Sequence, residues 1–409
     1  MIRTISTKNQ KIVLNTFVQL LTKAVSVILT FATSLLIISR LDSSVFGDLT
    51  KAFALTAVGF TAIDFGLNAH SVRYMAGSLA QQRQILLETI FARLFLSIVV
   101  ILVINIFVLI LPGGYAGIKA VYWVSSLSVL FQGLYTSSNA WFQRRLEYWK
   151  TGVITVLGTG LGTILTYLVI TRSPSLQNLL LASTLGYITM AIFSLFFLRP
   201  ILSPLSSVPF PRLMRVLKSS LPLGLILIAS IISSKIDTVI LGIFRPSYEV
   251  GQYGFAYRIF DVALTLPTFV MNAVYPSLIG LTKRGKTALI NKSSTTLLVL
   301  GFFAALALIS SAPFLSHLRG EMSLSIKTLQ ILALSLPIFY LTSPLMWGLI
   351  EQKLERQILV VYAFAAIFNG LSNYLFVPLF GSPASAVLTI ATETIILTGL
   401  VTIKKRAHV

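Results

Sequence analysis

The stretch LFLSIVVILVINIFVLI, Leu94 to Ile110, decides what kind of chain this is. It holds no charge, and the uncharged run continues to Ile118. Roughly 20 apolar residues in a helix cross a bilayer core of about 30 Å. In hydrocarbon each backbone N–H and C=O must be paired within its own segment, so such a run is helical. Further uncharged runs occupy 120–143, 151–171, 173–198, 262–282, 293–318 and 328–350. The run 357–392 holds one full helix, a turn at Pro378–Pro383 and half of another. With the spans that carry isolated charges, helices are expected at 12–39, 50–70, 88–112, 118–141, 151–171, 177–198, 219–243, 253–279, 294–315, 327–349, 357–378 and 384–403.

Composition agrees with that count. The chain has 409 residues, 56% of them hydrophobic and only 11% charged, and a mean hydropathy of +0.87. Soluble domains carry roughly 25% charged residues, so a soluble enzyme is close to excluded. Zero cysteines exclude disulfides and thiolate metal sites, and His70, His317 and His408 are too scattered for a metal cluster. No metal or cofactor is expected. The basic start MIRTISTKNQK leads into an apolar run without a small-residue cleavage site, which reads as an uncleaved first span.

The net charge of +20, from 32 Lys+Arg against 12 Asp+Glu, would suggest nucleic acid in a soluble protein. Its distribution says otherwise. With the N-terminus inside, twenty-one basic residues fall in inner segments, from Arg3, Lys8 and Lys11 to Lys404, Lys405 and Arg406. Seven fall outside: Arg40, Lys51, Lys119, Arg172, Arg245, Arg319 and Lys327. This is the positive-inside bias of a multi-pass membrane protein, with both termini cytoplasmic. Nucleic acid is not an expected partner; membrane lipid is.

The chain also repeats at half its length. SSVFGDL at 43–49 matches SYEVGQY at 247–253, with Ser43/Ser247, Gly47/Gly251 and Ala52/Ala256 identical at an offset of 204. RRLE at 144–147 matches QKLE at 352–355 at an offset of 208. Six helices per half is even, so the halves share an orientation. The expected fold is all-α: about 12 transmembrane helices in two six-helix bundles, related by a parallel pseudo-twofold repeat. The N-terminal bundle covers 1–198, a basic cytoplasmic linker 199–218, and the C-terminal bundle 219–409.

Several motifs carry a resemblance. LDSSVFGDLT (41–50), DFGLNAHSVRYMA (64–76), WFQRRLEYWK (141–150), SSKIDTVILG (233–242), EVGQYGFAYRIFD (249–261) and YPSLIGL (275–281) occur in this order. Each is degenerate and the set carries the signal. The chain resembles the lipid-linked oligosaccharide (polysaccharide) flippases of the multidrug/oligosaccharidyl-lipid/polysaccharide exporter superfamily. The resemblance implies two bundles facing a central cavity. It implies transfer of undecaprenyl-pyrophosphate-linked oligosaccharide units to the outer leaflet of the inner (plasma) membrane, for O-antigen, capsule or exopolysaccharide synthesis. A lipid-linked oligosaccharide is then the substrate, and a polysaccharide polymerase a candidate partner. The length disfavours the fourteen-helix lipid II flippase relatives. The alternative is a multidrug/cation antiporter of the related family.

Charges inside spans are expensive and mark function or pairing. Ser230, Ser233, Ser234 and Asp237 share one helical face, and Lys235 lies about 200° round from Asp237. Arg258 and Asp261, at i and i+3, can pair. Asn15, Gln19, Thr22 and Lys23 form another polar stripe. Lys23, Lys235, Asp237, Arg258 and Asp261 are the expected substrate path, because a pyrophosphate needs cationic compensation in a low dielectric. Tyr253 and Tyr257 are placed to stack on a sugar. Glu393, mid-span, is the sharper candidate for ion coupling, and Asp64 a second one that also fits a cap or a pair with Arg73. Arg93 and Glu88 are expected to snorkel, and Trp141 and Trp149 to anchor the inner interface. No P-loop occurs and no outer loop suits a catalytic domain, so no enzyme activity is expected.

Overall fold

The computed structural model describes residues 2–75, 77–202, 208–278, 282–317 and 321–406, with side chains from residue 18 onward except 272, 273, 275–278 and 283. Arg319, His408 and residues 279–281 of the YPSLIGL motif lie outside the described residues, as do the side chains of Arg3, Lys8, Lys11, Asn15 and Lys283.

Among the described residues every regular element is a helix. The first half comprises α1 (Ile2–Arg40), α2 (Ser43–Asp64), α3 (Leu67–Tyr74), α4 (Leu79–Ile110), the short α5 (Ala116–Lys119), α6 (Tyr122–Arg145), α7 (Tyr148–Arg172) and α8 (Leu176–Leu202). The second comprises α9 (Phe210–Phe244), α10 (Ser247–Leu278), α11 (Lys283–Ser311), α12 (Ser323–Ala333), α13 (Leu336–Glu351), α14 (Glu355–Phe380) and α15 (Ser382–Arg406). Among the described residues ten helices are long and apolar enough to cross a membrane. The pair α12 and α13, bent by 44°, makes an eleventh crossing. The helix α6, 24 residues long but rich in serine, is not among these candidates. Those serines are spent internally. Ser125 bonds Thr56, Ser126 bonds Asn105, Ser137 bonds Arg93 and Ser138 bonds Ser194, so the helix is polar where it meets other helices.

Two breaks are built from local chemistry. Ser78 and Gln81 form a reciprocal capping box that starts α4. Between α2 and α3 the chain turns through Phe65 (φ 43°) and Gly66 (φ 72°). A Cβ on Gly66 would press on the Ser220 carbonyl oxygen at 3.1 Å, so the left-handed turn and the close approach both require glycine.

The duplication is visible in the packing. In the first half α4 packs on α6, α6 on α8 and α7 on α8; in the second α11 packs on α13, α13 on α15 and α14 on α15. Ser43 and Ser247 each open a helix, in keeping with the offset of 204. The second match shifts by one. The left-handed residues are Leu146 (φ 57°) and Lys353 (φ 62°), and the following amides reach back five residues, Glu147 to Phe142 and Leu354 to Leu349. The turns therefore superpose at 207, not 208.

Compactness divides the chain into two discontinuous units. The first holds 1–37, 55–111 and 116–228, and the second 38–54, 112–115 and 229–409. The expected division at 199–218 followed chain order, whereas the first turns of α2 and the segment Pro112–Tyr115 are part of the second unit's packing. In the first unit Leu86, Leu87, Trp141, Phe142 and Ile154 form a core. Trp141 is buried there, not an interfacial anchor, and the Arg145 guanidinium lies 4.2 Å from its ring centroid. In the second unit the core runs through Leu241, Tyr253, Phe260, Leu297, Leu332 and Tyr340.

Candidate functional site

The second unit encloses a cavity of about 460 Å³ between α9, α10, α13, α14 and α15. Its wall is polar. Ser230, Ser233, Ser234 and Lys235 come from α9, Tyr257, Asp261 and Thr268 from α10, Thr342 and Ser343 from α13, Tyr362 and Asn369 from α14, and Thr389, Thr392 and Glu393 from α15. Helical periodicity produces this. On α15, Ser385, Thr389, Thr392 and Ile396 fall at i, i+4, i+7 and i+11, so hydroxyls repeat on one buried face.

The charged residues are paired differently from the sequence expectation. Lys235 Nζ lies 3.7 Å from Asp261 Oδ2 and 4.6 Å from the centroid of the Tyr257 ring. Asp261 therefore takes Lys235, across two helices, and not Arg258 on its own helix. Arg258 is not in the cavity wall; its guanidinium sits 5.8 Å from the Phe53 ring centroid. Asp237 is buried and also absent from the wall. Its carboxylate accepts from the Tyr253 hydroxyl, and from the Thr238 amide at 2.5 Å. The expected face of α9 thus splits: its serines line the cavity while Asp237 ties α9 to α10. Tyr253 is likewise buried in that bond, and only Tyr257 of the pair reaches the cavity.

Glu393 lines the cavity together with Thr342, whose hydroxyl donates to the Ile338 carbonyl at 2.9 Å. Beside it a chain of polar groups crosses three helices. Ser385 donates to Asn373 Oδ1 (2.7 Å), the Asn373 amide donates to Asn369 Oδ1, and Asn369 donates to the Ser233 carbonyl (2.5 Å). The Thr392 hydroxyl is buried with no hydrogen-bond partner.

In the first unit Asp64 pairs with Arg93 at 2.7 Å, not with Arg73. Arg93 is fully buried and also donates to Ser137 at 3.0 Å, so it does not snorkel; it joins α2, α4 and α6. Lys23 is exposed on α1. Groups of acidic, histidine or cysteine residues able to hold a metal are absent among the described residues.

One charged group was missed as such. Lys51, expected in an outer loop, is fully buried in α2, because α2 begins at Ser43 directly after Leu41–Asp42. Its ammonium donates to Asp48 Oδ1 (3.0 Å), the Gly114 carbonyl (2.7 Å) and Ser247 Oγ (2.7 Å), and Ser247 in turn donates to Asp48 (2.7 Å). The crossing of α2 and α10 beside it is glycine against glycine. A Cβ on Gly47 would overlap the Ser247 carbonyl oxygen, and one on Gly251 would overlap that of Ser43. The repeated Ser-x-x-x-Gly spacing was legible; that the two copies pack on each other was not.

Ten candidate membrane spans among the described residues, eleven with the bent pair, and a cavity inside one unit with polar side chains in its wall define a membrane-embedded carrier-type protein. Residues 12–281 match the family described as polysaccharide biosynthesis protein, and the chain belongs to that family. It is similar to the putative O-antigen transporter of Shigella dysenteriae, 24% identical over 367 residues that cover 87% of this chain and 91% of the relative. Among solved structures, the lipid II flippase MurJ in an inward closed conformation gives a TM-score of 0.76 at 14% identity, covering 94% of this chain and 87% of that one. An inward-facing multidrug resistance transporter of the MATE family, MOP superfamily, gives 0.75 at 15% identity, covering 93% and 94%. These structures share the fold.

Proposed function

We propose that this protein is a flippase that moves undecaprenyl-pyrophosphate-linked oligosaccharide units from the cytoplasmic to the outer leaflet, by alternating access. The observation that carries the reading is the hydroxyl-lined cavity inside a unit whose exterior is apolar, with Phe302, Phe303, Leu306, Val360, Phe364 and Leu371 exposed. A sugar unit cannot enter hydrocarbon unpaired, since each buried polar group without a partner costs several kcal/mol. A polar interior within an apolar shell removes that cost. The family match, and the roles of the similar O-antigen transporter and lipid II flippase, support the same reading.

In this scheme Lys23 of the first unit and Arg258 of the second are each residues of the substrate path. Lys235 and Asp261 face the sugar as a pair, Asp237 sets the α9–α10 geometry, and Glu393 is the site of ion coupling. Asp64, held by Arg93, is structural. The protein sits in the inner (plasma) membrane with both termini cytoplasmic, upstream of a polymerase that consumes the flipped unit.

The test is reconstitution. Purified protein in liposomes should move a fluorescent undecaprenyl-pyrophosphate oligosaccharide out of reach of an external quencher, and Lys23→Ala with Arg258→Ala should slow this at equal protein level. No movement of the lipid-linked sugar, together with gradient-driven uptake of a cationic dye, would identify the antiporter instead.

A further inference from the structure

The charges at the cavity decide which part of such a substrate it admits. Among the described residues its cationic side chain is Lys235, already held by Asp261 and by the face of Tyr257. Glu393 adds a second carboxyl on the same wall. The Lys235–Asp261 pair cancels its own charge, so a pyrophosphate placed here meets no uncompensated cation among the described lining residues and faces the Glu393 carboxyl. The cavity therefore does not suit the anionic part of the substrate.

It does suit an uncharged polyol. Hydroxyls arrive from separate helices, Ser234 on α9, Ser343 on α13 and Thr392 on α15, beside the rings of Tyr257 and Tyr362. The Thr392 hydroxyl is buried without a hydrogen-bond partner. Native proteins rarely leave such a group unpaired, and Thr392 belongs to the cavity lining, so a ligand that draws this hydroxyl toward the cavity would pair it. The volume of about 460 Å³ lies within the roughly 300–1,000 Å³ of small-molecule pockets.

We infer that this cavity is a sugar subsite, which takes a neutral ring of the lipid-linked oligosaccharide and excludes its pyrophosphate. The inference rests on the flippase reading for the source of the sugar, but the subsite is testable without transport. In one arm, full-length protein in detergent is titrated with a panel of methyl glycosides, with sodium pyrophosphate and with sodium chloride, and thermal unfolding is followed. In the other, binding of undecaprenyl pyrophosphate with and without its sugars is compared in nanodiscs.

A glycoside should raise the unfolding temperature saturably. Thr392→Val should weaken that response about tenfold, the equivalent of one hydrogen bond, while the sugar-free unfolding temperature stays put because the hydroxyl has no internal partner. The same variant should weaken the sugar-bearing lipid about tenfold and leave the sugar-free lipid unchanged. Equal weakening of both lipids, or of neither, overturns the subsite. So does a response to pyrophosphate or to sodium that Glu393→Gln abolishes while no glycoside acts. Glycoside binding that depends on Thr392, in a protein that flips no lipid-linked sugar, refutes the flippase reading and leaves the subsite standing.

Discussion

Lys51→Met is the sharpest test of the structural reasoning, because it replaces a fully buried ammonium by an apolar side chain of similar length. Three hydrogen bonds are lost, to Asp48, the Gly114 carbonyl and Ser247. Removing one member of a buried ion pair costs about 3–5 kcal/mol when the partner is stranded. Asp48 is not wholly stranded. It keeps the Ser247 hydroxyl at 2.7 Å, and its side chain is 20% exposed. A cost of about 2–3 kcal/mol is therefore expected, toward the lower side of that range. At roughly 2–4 °C per kcal/mol for a unit of this size, the unfolding temperature in detergent should fall by about 5–10 °C. The double variant Asp48→Asn/Lys51→Met removes both charges and should recover at least half of the loss, which a double-mutant cycle measures. A single variant that unfolds within about 1 °C of the parent would refute the claim that Lys51 is a buried structural charge. So would a double variant no better than the single one.

Gly251→Ala should destabilise by about 1–3 kcal/mol, because its Cβ would overlap the Ser43 carbonyl oxygen and both helix backbones must shift; a thermal melt checks it. Arg93→Met should lower folded yield sharply by leaving Asp64 without its cation, and Asp64→Asn in the same chain should restore much of it, as fluorescence-detected gel filtration would show. Glu393→Gln keeps the shape but removes the charge, so flipping in liposomes with an imposed proton or sodium gradient should drop to the rate without a gradient. The proposed cytoplasmic carboxyl terminus, which rests on the positive-inside bias, predicts that a C-terminal green fluorescent protein fusion fluoresces.

The fold was largely legible because hydrocarbon permits few structures. Uncharged runs such as 94–118 had to be helices, and each of the twelve expected spans falls on helix, although α6 is not apolar enough to count as a crossing by hydropathy. The repeat at Ser43 and Ser247 was legible because both copies open a helix with the same spacing to glycine. The site was legible only in part. The serines of α9, with Lys235, Asp261 and Glu393, do meet at one cavity. Thr342, Asn369 and Thr392 were passed over, since hydroxyls and amides in a span carry no charge to draw attention. A stripe at i, i+4, i+7 on α15 was the available signal.

Sequence by itself determined the solvent, the helix count and the duplication, because these follow from how many consecutive residues lack charge and from where the lysines and arginines fall. Tertiary structure alone decided the partners. Asp261 could reach Arg258 one turn away or Lys235 on another helix, and it takes Lys235. Asp64 could reach Arg73 or Arg93, and it takes Arg93. Lys51, read as a charge facing water, is buried where α2 crosses α10. The physical reason is common to all three. A charge in a low dielectric must find its counterpart at about 3–4 Å, and which groups come that close depends on how helices cross, which spacing along one chain does not encode.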